Sequence, residues 1–450
     1  MASVEVATDS SVTAVAELDH RHLWHPFTQQ RDWCREEPLV IERAEGTNLI
    51  DADGTSYIDG VSSLWCNVHG HRHPAIDAAI RRQLDRVAHS TMLGLTHSGA
   101  ATLAARLVDL APAGLSRVFY SDSGSTATEI ALKAAFQYWR QRGGADARRT
   151  GFVSLRDAYH GDTLGAVSAG GIELFHGAYS PLLFSTRQVE AGDDGELERV
   201  LERHGEEIAA MIVEPLVQGA AGIRVHPRGY LRTVRELCDR HDVLLICDEV
   251  ATGFGRTGTM FACEQEEVTP DFLCLGKGLT GGYLPLAATM TTERVYEGFL
   301  GGPEEGRTFF HGHTFTGNPL GCAAALASLD VFESEGTLKA VAAKIPVLEE
   351  ALAAVAEMPE VAEVRSRGFM VGIDLGDHDP ALRLGHRVAM EARRRGAIIR
   401  PLGDVVVLMP PLAITEADLR RLVGIAADAI RSACDSVVGE QPTDELAQAA

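Results

Sequence analysis

Two side chains stand where a sequence seldom leaves them without a task. Lys277, in CLGKGLTGG, follows a short apolar run and precedes a glycine-rich turn. Asp248 closes the apolar run Val243–Cys247. An acid ending so apolar a segment needs a partner or a role. Helix capping and ion pairing are the ordinary roles, and a carboxylate facing a cationic ring nitrogen is the chemical one. For Lys277 the ordinary reading is a surface loop. In open α/β sheets, however, ligands gather beyond the carboxyl ends of strands, and both residues lie at such ends. A third feature, Ser121-Asp122-Ser123-Gly124-Ser125-Thr126, follows the run RVFY and opens a long helical stretch. Free N–H groups and hydroxyls at a helix N-terminus suit a phosphate, although a simple N-cap also uses serine or threonine.

Two further patterns point elsewhere. Gly253-Phe254-Gly255-Arg256-Thr257-Gly258 matches the glycine fingerprint of dinucleotide sites. Such a site also wants an acid about 20 positions on, after a second strand; Asp271 comes too early and begins its strand. His69, His71 and His73 lack a fourth ligand and fit no common zinc spacing, so no metal is expected. A strand-end lysine, a strand-end carboxylate and a phosphate cradle together fit pyridoxal 5′-phosphate. The lysine would hold the aldehyde covalently, and the carboxylate would keep the pyridine nitrogen protonated so that the ring accepts electrons.

The elements that must position these groups can be read from hydrophobic spacing. RVFYSDS, FVSLRDA, AAMIVEPLV, VLLICDEVA, DFLCLGK and LPLAATMTT are short apolar runs ending in polar or glycine residues. That is the signature of parallel strands covered on both faces. Helical spacing marks IDAAIRRQLDRVA, ATLAARLVDLA and the crossover YLRTVRELCDRHD. Asp53-Gly54 between two strand-like stretches predicts a hairpin. After about residue 333, helices and strands alternate in a smaller α+β unit. The predicted organisation is a mobile arm over 1–18, a segment over 19–74 that packs with the small domain, and a large α/β domain over 75–333 with a mostly parallel sheet. A C-terminal small domain over 334–435 and a mobile tail over 436–450 complete it.

Composition narrows the function. The 450 residues are 45% hydrophobic and 23% charged, as in folded globular proteins rather than disordered ones. The net charge is −22, from 41 basic and 63 acidic residues. Such a surface repels phosphate backbones and anionic membranes, so neither nucleic acid nor membrane is expected as a partner. No apolar run reaches the roughly 18 residues of a membrane span. The N-terminal stretch lacks the features of a secretory leader, and the eight cysteines form no C-x-x-C pair. Cytoplasmic placement with reduced thiols is the expectation.

Asp248-Glu249-Val250-Ala251-Thr252-Gly253-Phe254-Gly255-Arg256-Thr257-Gly258, with Gly276-Lys277-Gly278, resembles the class-III aminotransferases of fold type I. The resemblance extends over about residues 19–435. Within that class HLWHPFTQ, SSLWCNVHGH, DSGSTATEIALK, YHGDTLGA, IVEPLVQGA, FFHGHTFTGNPLGCAAA and RPLGDVVVLMPPL are similar to the biotin-pathway group that aminates 8-amino-7-oxononanoate to 7,8-diaminononanoate, and GGIELFHGAYSPL is similar to its lysine-using relatives. The resemblance implies pyridoxal phosphate as cofactor, ping-pong transamination, and a homodimer with active sites at the subunit interface. It implies that Gly124 and Ser125 bind the cofactor phosphate, that Tyr159 stacks on the ring, that Asp248 pairs with the ring nitrogen and that Lys277 carries the cofactor. His313 and Thr314 would reach the phosphate held by the neighbouring subunit, Gly312 would line the substrate pocket, and Arg400 would hold the substrate carboxylate. Phe27 and Leu64-Trp65 stand where many members have Tyr and a Trp pair that shape the site for S-adenosylmethionine as amino donor. Relatives using L-lysine as donor have Phe and a non-Trp residue there. S-adenosylmethionine remains the first expectation and L-lysine the alternative, with ornithine, 4-aminobutyrate or a diamine as substrates of other class members.

Overall fold

A computed structural model describes residues 12–440. Its centre is a seven-stranded sheet in the spatial order Leu115–Ser121, Ala287–Thr292, Phe272–Leu275, Leu244–Asp248, Ile208–Val213, Gly151–Leu155, Arg187–Val189. Ala287–Thr292 runs antiparallel to both its neighbours. The remaining pairings are parallel. Alternate residues of one strand feed two cores. Leu244 and Ile246 join the cluster that holds Ala127, Ala131 and Trp139 of the helix Gly124–Arg142. Leu245 and Cys247 join the other, with Leu231 and Val234 of the helix Tyr230–Arg240. A sheet buried on both faces has no polar alternation to display, which is why these strands read as continuous apolar runs. Register places Asp248 opposite Cys274, so the strand ends bearing Asp248 and Lys277 lie side by side.

Two four-stranded sheets accompany it, besides a two-stranded pairing of Val217–Gln218 with Arg224–Val225. Ile41–Glu45, Asn48–Asp51 and Ser56–Asp59 form an antiparallel meander. The predicted hairpin turn is present: Gly54 takes φ +86°, and Asp51 Oδ1 accepts from the N–H groups of Asp53 and Thr55 at 3.1 and 2.8 Å. Ala397–Ile398 then pairs in parallel with Ser56–Asp59. This couples the N-terminal strands to the C-terminal part of the chain. The other sheet has the order Glu363–Arg367, Met370–Asp374, Val405–Leu408, Arg400–Leu402, and Arg400 begins its edge strand.

Near both ends the described residues are helical. The arm expected over 1–18 is helical from Val12 to His22. Asp19 of that helix accepts a hydrogen bond from Trp33 Nε1 at 2.7 Å and bonds His25 Nε2 at 2.8 Å, contacts that no local spacing announces. The tail expected from 436 continues the last helix, Glu416–Glu440. Residues 1–11 and 441–450 lie outside the described residues. Among the described residues, no helix is long and apolar enough to cross a membrane.

Candidate active site

At the carboxyl ends of the central strands opens a cavity of about 450 Å³, walled by Lys277, Asp248, Tyr159, Trp65 and the 123–125 turn, among others. Asp248 is 5% exposed. Its Oδ2 lies 2.8 Å from His160 Nδ1, and its Oδ1 accepts from Val250 N at 3.1 Å. The imidazole and the amide fix the direction of the carboxylate. His160 Nε2 is buried without a partner among the described residues.

Lys277 follows the strand Phe272–Leu275 with φ +39°, a conformation an L residue takes at a cost. Burial pushes its amine below the usual lysine range, while the nearby carboxylates of Asp248 and Glu214 oppose that shift. A buried amine of this kind is more readily neutral, and therefore nucleophilic. Its Nζ sits 5.0 Å from the Trp65 ring centroid. Trp65 is held by a strained turn: Ser62, Ser63 and Trp65 all have positive φ, at 51°, 62° and 65°. Ser63 is pinned through its N–H and Oγ to Asp59, at 2.8 and 2.9 Å.

The helix Gly124–Arg142 points its N-terminus into the cavity. Its capping box uses Ser123 and Thr126, with Thr126 N donating to Ser123 Oγ at 3.3 Å. The capping role thus falls on Ser123, and Gly124 and Ser125 remain to face the cavity. Gly124 is required by space: a Cβ there would lie 2.3 Å from Val250 Cγ1. Ser125 Oγ accepts from Thr163 N at 3.0 Å.

Tyr159 Oη donates to Asp162 Oδ2 at 2.8 Å. Burial, and then the Asp162 carboxylate, raise its hydroxyl above the ordinary range. Sequence reasoning gave Glu214 no role, although it ends the buried run AAMIVEP by the same logic as Asp248. It is 5% exposed, lines the cavity and accepts from Gly219 N at 2.8 Å and Tyr159 N at 3.2 Å. Burial pushes its carboxyl up to about 7. Glu249, the next acid after Asp248, turns away and accepts from the N–H groups of Ala262 and Cys263 at 2.9 and 2.8 Å.

Lys277, Asp248, Tyr159, Trp65, Gly124 and Ser125 therefore meet around one cavity. Phe27 and Leu64 lie outside it and are 58% and 47% exposed. Arg400 stands with its Cζ 6.0 Å from the Phe27 ring centroid and pairs with no carboxylate among the described residues. Burial lowers its guanidinium. Gly312, His313 and Thr314 line a separate open cleft, and His313 Nδ1 lies 2.8 Å from Asp122 Oδ2. One chain does not bring them to Lys277.

The patterns set aside in the sequence have structural tasks. Arg256 is buried and donates to Pro410 O at 2.6 Å, Asn67 O at 3.2 Å and Ser62 Oγ at 3.3 Å. His69, His71 and His73 turn to different partners: Ser328, Asp59 and Glu335.

The cavity combines an amine, a carboxylate fixed by hydrogen bonds to His160 and the Val250 N–H, and free N–H groups at a helix N-terminus. Those groups fit the aldehyde, ring nitrogen and phosphate of pyridoxal 5′-phosphate. This arrangement on this sheet is that of a fold-type-I pyridoxal-phosphate enzyme. The family model for class-III aminotransferases matches residues 30–430, and the chain belongs to that family, with pyridoxal phosphate as its cofactor. Among its relatives, an adenosylmethionine-8-amino-7-oxononanoate aminotransferase of Nitratidesulfovibrio vulgaris is 58% identical, covering 94% of this chain and 82% of the relative. One from Geobacter sulfurreducens is 50% identical, covering 96% and 99%. The crystal structure of the enzyme of that name from Methanocaldococcus jannaschii superposes with a TM-score of 0.92 at 44% identity, covering 94% and 99%. An amine transaminase from an uncultivated Pseudomonas species, in a PLP-bound form, gives 0.84 at 37%, covering 92% and 98%.

Proposed function

We propose that this chain transfers an amino group to 8-amino-7-oxononanoate, giving 7,8-diaminononanoate, with S-adenosylmethionine as donor. The relatives' shared name supports the acceptor. The observation that carries the reading is Arg400: a half-buried guanidinium without a carboxylate partner among the described residues, near Tyr159 of the Lys277 cavity. A planar bidentate pair with a substrate carboxylate completes it.

When bound, the cofactor supplies an electron sink for the charge left as the amine-bearing carbon loses its proton. Asp248, oriented by His160 and the Val250 N–H, would keep a proton on the ring nitrogen. Lys277 Nζ would hold the cofactor, and as a free amine it would carry the proton from the donor's amine-bearing carbon to the cofactor rather than back to that carbon. Gly124 and Ser125 would hold the phosphate, Tyr159 would cover the ring, and Arg400 would orient the acid. The second half-reaction uses the same groups in reverse order.

Two finer elements belong to this reading. The cleft lined by Gly312, His313 and Thr314 is bordered by Phe310 and Leu93, 85% and 89% exposed. A second copy covering these apolar side chains would form a homodimer and bring His313 and Thr314 to its own cofactor phosphate. Cytoplasmic placement accords with eight free cysteines. A second reading, L-lysine as donor, is favoured by Phe27, which offers a ring but no hydroxyl, and by Leu64, which offers no aromatic wall.

The test is purified enzyme with 8-amino-7-oxononanoate and either S-adenosylmethionine or L-lysine, with the product identified by mass. Diaminononanoate from the first donor is expected. Product from lysine alone selects the second reading, and no product from either overturns the acceptor assignment.

A further inference from the structure

The helical turn Glu173–His176 lies in GGIELFHGAYSPL, a stretch to which the amino-transfer chemistry gives no task. Its Phe175 ring stands edge-on to two aromatic rings at once: Phe27, at 5.4 Å and 73°, and Tyr159, at 6.3 Å and 86°. The adjoining His176 is buried and lies parallel to the Tyr159 ring, 6.4 Å between centroids. Tyr159 walls the Lys277 cavity, and Phe27 stands beside the Arg400 guanidinium. Ring contacts therefore run from the wall of the Lys277 cavity to the carboxylate anchor through Tyr159, Phe175 and Phe27.

The Phe175 and Phe27 rings offer a ligand apolar surface and no hydrogen bond, and the Tyr159 hydroxyl is already engaged by Asp162. The matching ligand has polar groups at its ends and methylenes between. We infer that Phe175 is a specificity-determining residue for the amino acceptor, its ring bridging Tyr159 and Phe27 to read the methylene chain between carbonyl and carboxylate. This rests on the reading of Arg400 as the carboxylate anchor and goes beyond it by naming what selects chain length. With the carboxylate fixed at Arg400, a short chain forgoes contact with Phe175 and falls short of Lys277.

Binding of straight-chain monocarboxylates, butanoate to nonanoate, to the holoenzyme by calorimetry tests this without turnover. In the wild type, each methylene laid on the rings should tighten Kd roughly three- to fourfold. Phe175→Ala should flatten that dependence below twofold per methylene, with Phe175→Leu between the two. The Leu variant serves if the Ala variant proves unfolded in a thermal melt. Parallel chain-length slopes in wild type and a folded Phe175 variant overturn the inference. Arg400→Ala separates the two readings, because it should weaken every chain length by the same factor. No effect of Arg400→Ala beside a flattened slope in Phe175→Ala would remove the anchor and keep the selector.

Discussion

Gly124 ties the cofactor cradle to the carboxylate strand, and adding one methyl group there tests that coupling quantitatively. A Cβ on residue 124 would lie 2.3 Å from Val250 Cγ1 and 2.9 Å from Val250 Cγ2. Ordinary contact begins near 3.4 Å, so the helix start or the Asp248–Val250 turn must retreat by about 1 Å. The retreat either tilts the N–H groups meant for the phosphate or pulls the turn whose N–H directs Asp248. Overpacking of this size costs about 1–3 kcal/mol. At 1.4 kcal/mol per tenfold, that corresponds to a cofactor Kd weakened about 5- to 150-fold in Gly124→Ala. The assay is titration of apoenzyme with pyridoxal phosphate, followed by absorbance. Val250→Ala removes both of the nearest atoms and leaves Cβ, at 3.2 Å, so the double variant should recover most of the affinity. A Kd for Gly124→Ala within twofold of wild type, or no recovery in the double variant, would refute the reasoning.

Asp248→Asn keeps the shape and the His160 contact but loses the charge that holds a ring proton. Turnover should fall at least 100-fold with the cofactor still bound; undiminished kcat in a cofactor-loaded variant would contradict the role. Glu214 titrates at about 7 in the fold against 4.5 ordinarily, so the native state binds more protons than the unfolded chain between those values. Its contribution is intact below pH 4.5 and is lost as pH rises through 7, on the order of 3 kcal/mol in all. The difference in urea midpoint between apo wild type and Glu214→Gln should therefore shift toward the variant from pH 5 to pH 8; a pH-independent difference would show that Glu214 is already ionised at pH 5.

The residues proposed to do the chemistry are the most legible part of the sequence. Lys277 and Asp248 stood out because an apolar strand ending in a charge contradicts its own pattern. Glu214 ends a buried strand in the same way, but the proline that follows it gives no turn or second acid to mark it. The reversed direction of Ala287–Thr292 was hidden, since a strand buried on both faces reads alike either way. The turn Glu173–His176 is too short for helical spacing to register, and its Phe175 acquires meaning only beside Phe27 and Tyr159. Gly312, His313 and Thr314 follow from resemblance alone; nothing in their local pattern indicates that they lie outside the chain's own cavity.

The central claim is the covalent attachment of pyridoxal phosphate to one amine. Treating the holoenzyme with borohydride and mapping its peptides by mass should place a single phosphopyridoxyl group on the peptide containing Lys277. A label on another lysine, or an unlabelled Lys277 peptide from protein saturated with the cofactor, would contradict it.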